Sequence, residues 1–161
     1  MSEKEMYLQS WEREFQTSLK VLRAYPADKL DFKPHERSKS ARELAWTFVG
    51  NEKFIDMVIK GELDMNPGPK PPASFQEILS TLTATHTQMV EKVKKLSEAD
   101  FNATIKFPTG PNQMGDLRRA DIMWMGMLDQ VHHRGQFSVY LRMAGGKVPS
   151  IYGPSADEPW N

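Results

Sequence analysis

Apolar positions recur at intervals of three and four residues along most of this chain, the period of a helix face turned toward a core. Leu8, Trp11, Phe15, Leu19 and Leu22 form one such stripe over residues 3 to 24, and Pro26 ends it. A second helix is expected from Ser40 to about Lys60, with Leu44, Phe48, Ile55 and Val58 inward and Gly61 as its stop. Ser40 with Glu43 reads as a capping box, in which hydroxyl and carboxylate each satisfy a backbone N–H. A third begins at Ser74, with Glu77 as a second box, and runs through Ile78, Leu82, Met89, Val93 and Leu96. The last spans about 117 to 144, closed by Gly145 and Gly146 where a left-handed cap belongs.

The connections are of other kinds. DMNPGPKPPAS, between helices two and three, is too rich in Pro and Gly for helix or central strand. Ser97 to Asp100 suits one capped turn, residues 102 to 107 read as extended at most, and 108 to 115 as loop. Four long amphipathic segments without a convincing strand predict an all-α fold, an antiparallel four-helix bundle in a single domain over residues 1–161.

Lys and Arg total 21 and Asp and Glu total 21, so the net charge is zero. That argues against nucleic acid or an anionic membrane as partner. The chain has no cysteine, hence no disulfide, no thiolate metal site and no sulfur nucleophile of its own. MSEKEMYLQSWEREF lacks the apolar core of a signal peptide, and no run is long enough to span a bilayer, so the expectation is a cytoplasmic protein.

The chemistry concentrates in the last helix. Asp129, His133, Gln136 and Tyr140 follow helical spacing on what reads as a buried face, where polar groups need partners. A metal ion, a bound ligand or a structural hydrogen-bond network would each supply them. Asp129 and His133, four apart, project from adjacent turns and can grip one divalent ion, zinc or nickel among others. Two ligands make a weak site, and a third would have to come from Thr47, Asn51 or His86 on other helices. A pair at this spacing equally serves as a plain hydrogen bond. Apolar residues around Trp124 and Leu128 cover more than one helix face, which points to burial against a second subunit.

SARELAWTFVGNE at 40 to 52, HHRGQFSVYLR at 132 to 142 and GGKVPSIYGPSADE at 145 to 158 resemble the DinB superfamily, which includes the YfiT-like proteins. The resemblance covers nearly the whole chain. It implies an up-down-down-up bundle, commonly a homodimer, with a divalent metal on three histidines: one in helix two and two at i, i+4 in helix four. Those positions fall here at Thr47, Asp129 and His133, and only His133 keeps the family's residue. Members with the full triad include thiol S-transferases whose metal activates a low-molecular-weight thiol. The expectations are therefore a metal-dependent transferase with a degenerate site, or a non-catalytic dimeric bundle that binds a small ligand in the former metal pocket lined by Thr47, Asn51, Gln136 and Tyr140.

Overall fold

The computed structural model describes residues 1–64, 66 and 68–160. Four long helices dominate it: α1 (Glu3–Arg23), α2 (Ala41–Lys60), α3 (Phe75–Lys95) and, after a short α4 (Glu98–Asn102), α5 (Arg119–Met143). Local chemistry sets their ends. Ser2 with Glu5 and Ser40 with Glu43 form complete capping boxes, whereas Ser74 caps α3 through its hydroxyl alone, without the return bond expected from Glu77. Gly61 ends α2 at φ 72°, and Gly145 follows α5 at φ 84°, conformations open to glycine because it has no Cβ.

The stretch before α5 departs from expectation. Instead of an extended run and a loop, β1 (Thr104–Gly110) and β2 (Gln113–Arg118) pair as an antiparallel hairpin, with Thr104 opposite Arg118. Ile105, Phe107 and Leu117 pack on the bundle while Thr104 and Lys106 face outward. A two-stranded ribbon has only edge strands, so the missing N–H of Pro108 costs little. Asn112 turns the chain at φ 56°.

Side-chain contacts give the directions of the helices. Tyr140 reaches the start of α2 and Arg119 its end, so α2 and α5 run antiparallel. Glu3 meets Arg118, and Glu14 meets Arg134, so α1 and α5 run parallel. Arg42 near the start of α2 donates to the Ala73 carbonyl at 2.5 Å, placing the start of α3 beside it. The Pro-rich connection thus travels back along α2, held by Trp46 Nε1 on the Pro69 carbonyl at 2.8 Å. The order is up-down-down-up.

Two apolar clusters fill the bundle. One gathers around Phe48, Phe137, Ile78 and Leu141, the other around Tyr7, Trp11, Ile122 and Phe101. Between them lies a layer of buried polar side chains, Glu14, Ser18, Glu52, His86, Gln130 and Arg134.

Candidate site at the α2–α5 seam

The antiparallel packing of α2 on α5 sets Asn51 beside Asp129, which in turn meets His133. Asn51 Nδ2 donates to Asp129 Oδ2 at 2.9 Å, and His133 Nε2 lies 3.3 Å from that same oxygen. His133 Nδ1 stands 3.0 Å from Gln136 Oε1, and Gln136 Nε2 stands 2.9 Å from His132 Nε2. One turn back along α2, Thr47 donates to the Glu43 carbonyl at 3.1 Å and accepts from the Lys39 ammonium at 2.9 Å. Tyr140 donates its hydroxyl proton to the Lys39 carbonyl at 3.0 Å.

This row does not face the bundle interior, contrary to the expectation of a buried stripe. The Asp129 side chain is 52 % exposed and that of His133 16 %. The cause is the rotation of α5. Met123, Met127, Phe137 and Leu141 turn inward together with Gln130 and Arg134, which leaves Asp129, His133 and Gln136 about a quarter-turn away at the helix edge. Tyr140 alone of the row is buried. Trp124 also differs from expectation: it packs edge-on against Tyr7 at 5.2 Å and donates to Glu3, inside its own chain.

The expected pocket divides into two grooves that meet at Lys39. Thr47 and Asn51 border a broad one of about 960 Å³ between α2, α3 and the Pro-rich connection. Gln136 and Tyr140, with His133, line a smaller one of about 470 Å³, completed by Pro34, Ser38, Lys39, Leu44 and Val139. Among the described residues no three His, Asp or Glu side chains gather closely enough to share one ion. The donors at the seam are one carboxylate, one imidazole, one amide and one hydroxyl engaged by an ammonium. That set does not fit a tight zinc or nickel centre, which takes three or more protein ligands.

The model of the DinB family matches residues 1–160. The chain belongs to the DinB family. It is similar to the uncharacterized protein YrdA of Bacillus subtilis (strain 168), with 27 % identity over 157 residues, covering 94 % of this chain and 89 % of that one. A DinB-like protein from Bacillus cereus ATCC 10987 shares the fold at a TM-score of 0.78 and 23 % identity, covering 92 % of this chain and 97 % of its own. The DinB-like YjoA of Bacillus subtilis does so at 0.69 and 15 %, covering 91 % and 97 %.

The polar layer inside this DinB chain is the feature that periodicity missed. Glu52, fully buried, accepts from Gln130 Nε2 at 2.6 Å and lies 3.2 Å from His86 Nδ1. The other ring nitrogen of His86 lies 3.1 Å from Glu12, and the ring stacks on Phe15 at 3.6 Å. Each ring nitrogen of His86 thus faces a carboxylate oxygen, one from α1 and one from α2. His86 is thereby held across the bundle from Asp129 and His133 and is not a third member of their site. A bond from Gln16, together with His86, holds the Glu12 carboxyl below its ordinary range against the opposing effect of burial. Burial, reinforced by the Glu52 charge, pushes the Tyr7 hydroxyl well above its ordinary range. The legible signal was Glu52 itself, an acid four residues after Phe48 on the apolar stripe of α2. Lys39, in the loop before the α2 cap, carried no periodic signal.

Proposed function

We propose that this DinB protein holds a small molecule at the α2–α5 seam without a resident metal. The observation that carries the reading is the Lys39 ammonium on the Thr47 hydroxyl, at the position where the family pattern asks for a histidine ligand. A positive charge there opposes a divalent cation and favours a ligand that accepts hydrogen bonds. The grooves on either side of Lys39 supply the space, and a homodimer through the outer face of α5 is part of the same proposal.

One observation favours a second reading. Asp129 and His133 lie close enough to share an ion. That would suit a metal-dependent transferase of the thiol S-transferase type. Its thiol would be a cosubstrate, since the chain has no cysteine.

Calorimetric titration of zinc into three proteins separates the two. The expected outcome is weak heat with the unmodified protein, little gain for Thr47→His, and tight one-to-one binding only for Thr47→His combined with Lys39→Met. The double change adds the third imidazole and removes the charge, and a third ligand converts a weak site into one of catalytic type. Tight uptake by the unmodified protein, lost in His133→Ala, would overturn the metal-free reading in favour of the transferase.

A further inference from the structure

The smaller groove has a charge character of its own. Pro34, Leu44 and Val139 give it apolar walls, Lys39, His133 and Gln136 give it a polar end, and no Asp or Glu lines it among the described residues. The broader groove mixes lysines with Glu43, Asp56 and Asp64. Lys39 is exposed, and its ammonium carries three donors, of which one goes to the neutral Thr47 hydroxyl. Glu43 feels the Lys39 charge, but its Oε2 is committed to the Ser40 N–H at 2.6 Å, completing the α2 cap. The ammonium therefore sits on Thr47, at the edge of the broader groove where the acid-free apolar one meets it at Lys39, with hydrogen-bonding capacity to spare.

We propose that this groove binds a small monocarboxylate with an apolar body, its carboxylate on the Lys39 ammonium and its hydrocarbon against Pro34, Leu44 and Val139. The assignment rests on the ligand-binding reading above and narrows it to a chemical class. A carboxylate on an ammonium is a charge-assisted pair, stronger than the neutral contacts an uncharged ligand would make there. The apolar walls add a contribution that grows with each methylene removed from water. About 470 Å³ is ample for a chain of six carbons, within the usual size range of small-ligand sites.

The test uses hexanoate and its neutral counterpart hexanamide, titrated at pH 7 into the full chain and followed by backbone amide shifts in NMR. Hexanoate is expected to move the signals of Ser38, Lys39, Gln136 and Val139, and hexanamide to bind at least about tenfold more weakly, the value of one charge-assisted bond. Lys39→Met should lower hexanoate affinity to the hexanamide level, and Lys39→Arg should retain most of it. The Tyr140 contact uses the backbone carbonyl of Lys39, so both variants keep it. Equal binding of the two probes at the groove overturns the carboxylate assignment while leaving metal-free ligand binding in place. So does undiminished hexanoate binding by Lys39→Met. Binding of neither probe overturns it as well, whereas tight zinc uptake by the unmodified protein strikes only the broader reading.

Discussion

Arg134 is a full charge at 1 % exposure in the middle of a helical bundle, and its surroundings account for that. Its guanidinium pairs with Glu14 at 2.8 Å, donates to the Glu14 carbonyl at 3.2 Å and lies over the Tyr152 ring at 4.9 Å, while Tyr152 closes the loop by donating to Glu14 at 2.6 Å. Removing one member of a buried pair leaves the other charged and dry, so Arg134→Ala is expected to destabilise the fold by about 3 kcal/mol. Arg142→Ala, which breaks the solvent-facing pair with Asp157, should change it far less. Urea unfolding of the two variants measures the contrast, and equal effects would mean that the polar layer is not structurally important. Nothing in the spacing of the α5 arginines marks one of them as interior. Glu52 was more legible, since an acid on an apolar stripe demands a partner. Lys39 was illegible: its role depends on a loop delivering it eight positions along to Thr47.

At the scale of elements, the long helices were legible because three-and-four spacing persists over twenty or so residues and caps mark the ends. The hairpin was not, since the alternation of Thr104 to Phe107 is brief and Pro108 and Gly110 follow it. The segment after α5, broken by Pro149, Pro154 and Pro159, has no periodic pattern, yet it is strapped to the bundle by two carboxylates. Asp157 accepts from the Val148 N–H at 2.8 Å and pairs with Arg142. Glu158 accepts from Lys20 at 2.7 Å, from the Ser150 N–H at 2.8 Å and from its hydroxyl at 2.9 Å. The Lys20 bond first, then the two from Ser150, pull the Glu158 carboxyl from 4.5 down to about 2. A carboxyl that titrates lower in the folded chain than in the unfolded one stabilises the fold fully above the unfolded value and loses that effect as pH falls toward the folded one. The strap is therefore expected to hold above pH 4.5 and to release as pH drops toward about 2. Hydrogen exchange at the Ser150 amide reports it. Glu158→Gln should show the released state already at neutral pH, and unchanged protection in that variant would mean that the carboxylate does not hold the tail.

For the whole molecule, loop lengths alone left the topology open, and the up-down-down-up order rested on the family resemblance. The contacts of Arg42 and Trp46 with the Pro-rich connection supply the physical reason for it, since they fasten that connection along α2 and start α3 at the same end. A related question is how α5 meets the outside. With Trp124 withdrawn into its own chain, Met125, Leu128, Val139 and Met143 remain between 50 and 60 % exposed. Helical spacing puts them in one row, about 27 Å long at 1.5 Å per residue. Apolar side chains aligned over that length on one helix are the kind of face that a second copy buries, and α5 against α5 would form a two-fold interface in which the same patch of each copy meets that of the other. Sedimentation equilibrium at tens of micromolar, a concentration order natural for specific association, is expected to show a dimer. Leu128→Glu combined with Met143→Glu should give a monomer with an unchanged helical spectrum, because neither side chain is part of the core. Val139 is the wrong place to cut. It belongs both to this row and to the wall of the Lys39 groove, so a charge there would disturb two features at once. A monomer in the unmodified protein at that concentration would refute the interface and leave the exposed row of α5 without a partner of its own kind.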